Sequence, residues 1–148
     1  FHIGNIDHPD IGLLPLRRIA YLVAGPASYA DRLSRAGWND VAGMPWVTPP
    51  ERSHVARFLR GLFAQHGARP NEVVECDQLS AMLDLVRSGL GMSLLREDVA
   101  LDAVEKGEVV LWPHGRTEGR LSFVYKASAE HDPAIIGMLS VLREHWQI

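Results

Sequence analysis

Residues 76–95 constrain the fold of this chain more than any other stretch. Four of their apolar side chains recur at the spacing of a helix that lies on a sheet. These are Leu79, Met82, Leu83 and Val86. Gly89 and Gly91 are expected to end that helix and let the chain turn back. The apolar run 92–95 then predicts a strand that is covered on both faces.

Strand and helix patterns alternate from Ile19 to Trp112, which predicts an α/β sheet with helices on its faces. The predicted strands are 19–24, 44–47, 72–76, 92–95 and 109–112, and the predicted helices are 28–36, 77–88 and 97–106. Another helix ends at Gly67. It begins either at Thr48, through the capping box Thr48-Pro49-Pro50-Glu51, or one turn later at Ser53.

The two ends of the chain have a different character. Residues 13–24 form one long extended run around Pro15, which predicts a strand that crosses from one sheet to another. A strand is predicted at 121–125 after the turn-rich residues 115–119, and Asp132-Pro133 opens a final helix. We expect the two ends to pair in a second, incomplete lobe.

Composition excludes several classes of protein. Of the 148 residues, 47% are hydrophobic, which supports a real core, and the net charge of -3 argues against a free-standing nucleic-acid binder. The one cysteine forms no internal disulfide and favours a reducing compartment. No apolar run approaches the about 20 residues of a membrane span. Because Phe1 already looks like part of a strand, we expect further residues upstream.

Three predicted helices begin just after strand ends, near Thr48, Asp77 and Arg96. Helix N-termini carry unpaired amides and a partial positive charge, so together they could hold an anion or a carboxylate. The alternative is that Thr48 and Asp77 only cap their own helices. These two roles are compatible, because capping residues also line the mouths of clefts.

Three other polar residues have two interpretations each. Ser93 is either a ligand hydroxyl or a small residue tolerated in a buried strand. Cys76 could line a pocket wall or act as a redox switch, but without a resolving cysteine an inert thiol is favoured. Arg17 could clamp a carboxylate on the crossing strand, although a surface position is favoured.

The sequence contains no recognisable catalytic or metal-binding motif. Residues 91–95 lack the second glycine of a nucleophile elbow, and Gly89-Leu90-Gly91 lacks the third glycine of a dinucleotide fingerprint. The seven histidines show no zinc-like spacing. We therefore predict a protein without catalysis, metal or cofactor, since a general base paired with a nucleophile is also missing.

In order and spacing, the motifs resemble the LysR-type transcriptional regulators over essentially the whole chain. The resemblance is carried by the helix and strand of residues 77–95 and by four shorter stretches. These are Phe1-His2-Ile3-Gly4, Leu14-Pro15-Leu16, Pro45-Trp46-Val47-Thr48 and Glu108-Val109-Val110-Leu111-Trp112-Pro113.

The resemblance implies a regulatory domain with a two-lobe fold like that of type 2 periplasmic binding proteins, in which a small effector sits between the lobes. Residues 17–113 would be the complete second lobe. Residues 1–16 and 114–148 would be the remnant of the first lobe, and the family's N-terminal winged helix-turn-helix is absent. The effector site carried over from the family, together with the residues considered above, comprises Thr48, Pro49, Cys76, Asp77, Gln78, Ser93, Asn5 and Arg17.

The predicted function is therefore effector sensing in a cytoplasmic bacterial transcription regulator, with a small and possibly anionic metabolite as the ligand. DNA would be a partner only through the missing N-terminal domain, no membrane is involved, and the full-length protein would be a homodimer or homotetramer. The alternative function is a solute-binding protein of a transporter.

Overall fold

The computed structural model describes all residues from Phe1 to Ile148. The strands are β1 (His2–Ile3), β2 (Ile11–Pro26), β3 (Pro45–Thr48), β4 (Asn71–Glu75), β5 (Ser93–Arg96) and β6 (Val109–Lys126). The helices are α1 (Ala30–Leu33), α2 (Trp38–Gly43), α3 (His54–Ala64), α4 (Leu79–Arg87), α5 (Glu97–Glu105) and α6 (Pro133–Trp146), with 3-10 turns at Ala27–Tyr29 and Ala127–Ala129. None of the helices combines the length and apolarity needed to cross a bilayer.

The chain divides into two compact units. The terminal unit contains Phe1–Ile19 and Gly119–Ile148, and the central unit contains Ala20–Glu118. The long strands β2 and β6 contribute residues to both units. The predicted crossing of β2 from one sheet to another is wrong, because the whole strand belongs to one sheet. The predicted lobe boundaries, after residues 16 and 113, lie a few residues from these divisions. That the units are lobes of a hinged domain stays a prediction.

The central unit is built on strands whose neighbours are distant in sequence. β3 pairs in parallel with β4, with Thr48 opposite Glu75, and a parallel bridge joins Trp46 to Met92 just before β5. β5 in turn runs antiparallel to β2. Trp46 is fully buried, and its indole N–H donates to the carbonyl of Val41 over 2.9 Å. This bond gives the one polar atom of a large core side chain a partner.

The turn between α4 and β5 confirms the reading of residues 76–95. Met82, Leu83 and Val86 are buried against the core, while Leu79 at the start of the stripe remains partly exposed. Gly89 has a φ of 90°, which side chains rarely adopt. A Cβ on Gly91 would lie 2.1 Å from the carbonyl oxygen of Pro45, so only glycine fits there.

The terminal unit has its own apolar core. Leu14 and Leu16 of β2 pack with Leu139 and Leu142 of α6. The carboxylate of Asp132 accepts a hydrogen bond from the amide of Ala134 over 2.8 Å, and Pro133 is the first helical residue. The predicted start of this helix is confirmed.

The predicted helix 28–36 is wrong. The chain instead forms a 3-10 turn and the short α1, and Ser28 caps neither of them. Gly37, predicted to end that helix, begins the unpredicted α2, because its amide donates to the carboxylate of Asp40 over 2.8 Å. A local side-chain cap has therefore started a second helix in the predicted loop.

The predicted end of the strand at Pro113 and the predicted turn at 115–119 are also wrong, because β6 continues from Val109 to Lys126. Pro113 is exposed, where its missing N–H costs little. Gly115 is buried against Val23, and a Cβ on it would lie 2.4 Å from that side chain. This glycine permits a close approach within an extended strand and does not form a turn.

Candidate binding site

The site begins at the carboxyl ends of the parallel strands β3 and β4. Because the two strands run in the same direction, Thr48 and Glu75 end at the same edge of the sheet. The backbone N–H of Cys76 donates to the carbonyl of Thr48 over 2.9 Å, which fixes the two ends to each other. Ligands of open α/β sheets bind at edges of this kind.

Thr48 is 3% exposed, yet its side chain does not cap a helix. Of the two predicted starts of α3, the capping box at Thr48 is wrong and the start at Ser53 is confirmed, because α3 begins at His54 and Ser53 accepts from the amide of Ala56 over 3.0 Å. The Thr48 hydroxyl has no hydrogen-bond partner within the chain, and no fully enclosed side-chain polar atom lacks one. The hydroxyl oxygen is therefore not fully enclosed. Pro49 beside it is buried.

The three predicted helix starts differ in how their N-termini are satisfied. The amide of Ala56 in α3 is occupied by Ser53, and α5 carries Glu97 and Asp98 in its first turn. α4 has neither device: Gln78 is the N-cap residue, its side chain makes no capping bond, and the first turn contains no acidic residue. α4 is therefore the helix start whose first amides have no side-chain partner, although the carboxylate of Asp77 lies just before its N-cap residue.

The connection from β4 to α4 is formed by Cys76, Asp77 and Gln78. Cys76 is half-buried, and its thiol lies 3.6 Å from the carbonyl of Gln78. Asp77 and Gln78 are exposed, and neither side chain caps α4, so the predicted capping role of Asp77 is wrong. Both side chains therefore remain free to contact a ligand at the sheet edge where β3 ends at Thr48.

Ser93 lies one strand further into the sheet. It is fully buried, and its hydroxyl donates to the carbonyl of Val47 over 2.9 Å, which ties β5 to β3. The hydroxyl of Ser93 therefore donates its proton to a hydrogen bond within the sheet and not to a ligand. Contact between Ser93 and an effector stays a prediction.

The remaining two predicted residues belong to the terminal unit. Asn5 is exposed just after β1, and Arg17 is exposed on β2 with its guanidinium 5.2 Å from the ring centroid of Trp146. The central unit therefore brings together Thr48, Pro49, Cys76, Asp77 and Gln78, with Ser93 beneath them. The roles of Asn5 and Arg17 stay predictions.

The sequence did not single out the backbone amides of Leu79, Ser80 and Ala81, which are the first three amides of α4 and have no side-chain cap. A signal for them was present, because Gln78 stands where a serine, threonine, asparagine or aspartate would normally cap the helix. No three His, Cys, Asp or Glu side chains gather closely enough to hold a metal ion.

An open depression of about 260 Å³ lies elsewhere in the central unit, beside Arg60 and Arg69. Two arginines would suggest an anion site, but the charge of Arg60 is already paired with carboxylates. Arg60 already forms a two-pronged pair with Glu72, at 2.8 and 2.9 Å, and also contacts Glu51 at 3.1 Å. We assign no ligand to this depression.

Comparison with known proteins agrees with the fold. The family described as LysR substrate binding domain matches residues 1–147. The regulatory domain of CcmR from Synechocystis PCC6803, solved in complex with 2-PG, superposes with a TM-score of 0.77 at 13% identity, covering 98% of this chain and 71% of that one. Comparison with curated protein sequences yields no match.

Two further structures are similar to the same degree. The regulatory domain of NMB2055 (MetR), a LysR family regulator from N. meningitidis, has a TM-score of 0.74 at 16% identity over 96% of this chain and 70% of that one. The effector-binding domain of QuiR in complex with shikimate has a TM-score of 0.74 at 16% identity over 97% and 69%. These likenesses confirm the predicted α/β fold of the periplasmic-binding-protein type 2 class.

Proposed function

Since this chain belongs to the LysR substrate-binding domain family, we propose that it senses a small anionic metabolite bound at the edge of its central unit. It is an effector-binding regulatory domain of the LysR type, a class that is generally non-enzymatic. The complexes of CcmR with 2-PG and of QuiR with shikimate support a small-molecule effector. No observation favours the alternative of a transport protein.

The proposal depends on two features joined by the bond between Thr48 and Cys76, which are the uncapped N-terminus of α4 and the unpartnered hydroxyl of Thr48. The chain of contacts is short: Thr48 is bonded through its carbonyl to Cys76, three residues before Leu79. An anionic group at this point would accept hydrogen bonds from the first amides of α4. It would also accept one from Thr48.

The proposed contacts would contribute to the affinity for an anionic metabolite in two ways. A charge at a helix N-terminus is worth about 0.3–1 kcal/mol, or up to about 2 kcal/mol when it is partly buried. Hydrogen bonds to a charged group contribute about 1.5–3 kcal/mol each. Two such bonds and the helix charge together contribute about 3–8 kcal/mol, so apolar contacts of the effector have to offset the cost of association and supply the rest of a micromolar affinity.

Asp77 and Gln78 would contact the parts of the effector away from its charge. The exposed carboxylate of Asp77 accepts hydrogen bonds, so it selects for a hydroxyl or amino group on the ligand and repels a second anionic group placed near it. Gln78 offers both donors and an acceptor. The predicted contacts from Asn5, Arg17, Cys76 and Ser93 are tested by the same binding measurements on single variants.

In the intact regulator we propose that effector binding shifts the equilibrium between two conformations that differ in DNA binding. DNA contacts would come from the family's N-terminal domain, and the protein would act in the cytoplasm. Activation or repression is a matter of which conformation binds the effector more tightly.

A screen with matched ligands tests the proposal. Small carboxylates, each paired with its neutral amide, are compared by thermal shift, because a ligand at 100-fold its Kd stabilises the protein by about 2.7 kcal/mol. We expect stabilisation by acids and not by their amides. Equal stabilisation by an acid and its amide would contradict an anionic effector.

The contact residue is tested by titrating the acid found in this screen into two variants. Thr48→Val removes the hydroxyl at constant shape and is expected to weaken binding about tenfold or more. Thr117→Val, made at the only other threonine of the chain, is the matched control and should bind as the unaltered protein does. Unchanged affinity in Thr48→Val would remove this residue from the site.

A further inference from the structure

Glu75, the last residue of β4, lies directly beside Thr48 and has no partner in the chain. The parallel ladder pairs the two residues, so their backbones are about 4.8 Å apart and their side chains project to the same face of the sheet. Glu75 is exposed, and its carboxylate forms neither a hydrogen bond nor an ion pair. A charged acceptor therefore adjoins the buried hydroxyl of Thr48.

Other carboxylates near the ends of these strands are neutralised within the chain. Glu72, three residues earlier in β4, is paired with Arg60 at 2.8 Å. Just after β5, Asp98 is paired with the guanidinium of Arg96 at 2.6 Å. By contrast, the connection that follows β4 adds a second unpaired carboxylate at Asp77. The end of β4 therefore carries two negative charges that no cation of the chain neutralises.

Thr48 independently points to a ligand at the same place. The residue is only 3% exposed, yet its hydroxyl has no partner within the chain. A buried polar group is normally hydrogen-bonded, whereas an exposed carboxylate is satisfied by water. A ligand group that bonds both the Thr48 oxygen and the Glu75 carboxylate has to be a donor. An ammonium group has three donors and a positive charge, which suit one hydroxyl oxygen and two carboxylates.

We propose that Glu75 is a specificity-determining residue that selects an effector with an ammonium group, so that the effector is an amino carboxylic acid. This inference rests on the proposed function, because the carboxylate of the same molecule would be held by the first amides of α4. The ammonium group would contact Glu75, Asp77 and the oxygen of Thr48. The Thr48 hydroxyl can serve both ends of such a ligand, since it donates one hydrogen bond and accepts others.

The two carboxylates would also discriminate against acids that lack a positive charge. An acid without an ammonium group brings a negative charge close to Glu75 and Asp77 and offers them nothing in return. Selectivity then arises from repulsion of the wrong ligand as well as from attraction of the right one. A hydroxy acid of the same skeleton is the closest such competitor, because it differs from the amino acid in one group.

The ligand class is tested by calorimetric titration of matched probes. The α-amino acids, β-alanine and γ-aminobutyrate are each compared with the hydroxy acid of the same skeleton. We expect at least one amino acid to bind, and its hydroxy acid to bind about tenfold or more weakly. If carboxylates bind but those with an ammonium group bind no more tightly, this inference is overturned while the anionic effector stands. If no acid binds at all, both proposals are contradicted.

Glu75→Gln assigns the selectivity to one carboxylate. The change removes the charge at nearly constant shape and should weaken binding of the amino acid about tenfold or more, with little effect on the hydroxy acid. The urea midpoint should not change, because Glu75 has no partner in the chain. Glu105→Gln, at an exposed and unpaired carboxylate of α5, is the matched control and should bind both ligands normally.

Two outcomes of this comparison would overturn the role of Glu75. Unchanged affinity of Glu75→Gln for the amino acid would remove the residue from the site. An equal loss for the amino acid and the hydroxy acid would show that Glu75 supports the structure of the edge and does not recognise the ammonium group.

Discussion

The hydroxyl of Ser93 donates to the carbonyl of Val47 over 2.9 Å and so joins two strands that are 46 residues apart in sequence. Both residues are fully buried. The bond lies directly behind Thr48, the next residue of β3, whose own hydroxyl makes no bond in the chain. The Ser93 hydroxyl thus joins two strands, whereas the Thr48 hydroxyl has no partner in the chain.

Ser93→Ala tests this division. The substitution removes the donor for a buried carbonyl, and we expect a loss of about 1–3 kcal/mol in the free energy of unfolding, measured with urea. Effector affinity should change little, in contrast to Thr48→Val. Ser140→Ala, at an exposed position on α6, is the control for the loss of a hydroxyl. A Ser93→Ala protein of normal stability that no longer binds would show that Ser93 contacts the ligand.

The open N-terminus of α4 is tested by Ser80→Asp. An acidic residue in the first turn compensates the helix charge, so the free energy of unfolding should rise by about 0.3–1 kcal/mol. The same charge should repel an anionic effector and lower its affinity about fivefold or more. Ser80→Asn has nearly the same shape without the charge and should bind normally. Equal binding by the two variants would argue against an anion at this helix.

Gly91 is expected to tolerate no side chain. A methyl group there would lie 2.1 Å from the backbone oxygen of Pro45, in the turn that leads from α4 to β5. Gly91→Ala should therefore destabilise the chain by about 3 kcal/mol or more, as strained core substitutions do. Gly61→Ala, in the exposed interior of α3 where nothing lies within 4 Å, should stabilise by about 0.5–1 kcal/mol. Urea unfolding of both variants measures the contrast.

Stability should fall in acid partly through Glu72. Its hydrogen bonds with Arg60 lower the pKa of this carboxyl below its ordinary value. As the pH drops, Glu72 is therefore protonated in the unfolded chain before it is protonated in the folded chain. The stability that the ionised Glu72 contributes is fully present above the pKa of the unfolded chain, and it is lost as the pH falls through the lower pKa of the folded chain. Glu72→Gln should flatten the dependence of the unfolding midpoint on pH in this range. Glu105→Gln, at an exposed site, should leave the dependence unchanged.

The elements predicted correctly from the sequence are those whose signal is local. The stripe of α4, the Asp132-Pro133 start of α6 and the glycine stop at Gly89 each depend on neighbours a few residues away. The failures at Pro113 and at residues 115–119 occurred where distant contacts decide the structure, whereas the cap of α2 by Asp40 is local and was missed. Gly115 reads as a turn residue, yet it serves the packing of Val23 and Trp112 and keeps β6 extended. No local pattern contains that information.

The candidate site was predictable in place but not in detail. Strand ends followed by helix starts pointed to Thr48 and residues 76–78, which do lie at the ends of β3 and β4; their contact with an effector stays a prediction. A helix N-terminus is left without a cap when no side-chain oxygen reaches its first amides. The hydroxyl of Ser53 reaches the amide of Ala56 in α3, whereas the side chain of Gln78 reaches no amide of α4. Likewise, Thr48 and Ser93 are both buried hydroxyl residues, and their different bonding follows from the pairing of strands distant in sequence.

The central claim is that an anionic effector is held by the first amides of α4, and backbone NMR of the labelled protein tests it most directly. The carboxylates and amides of the thermal-shift screen, with sulfate added, are titrated while the amide signals of Leu79, Ser80 and Ala81 are followed. We predict that an acid shifts these signals most strongly, that its neutral amide does not, and that Thr48→Val weakens the response. If no anion moves them, or if the largest shifts lie away from α4 and Thr48, the proposed site is contradicted.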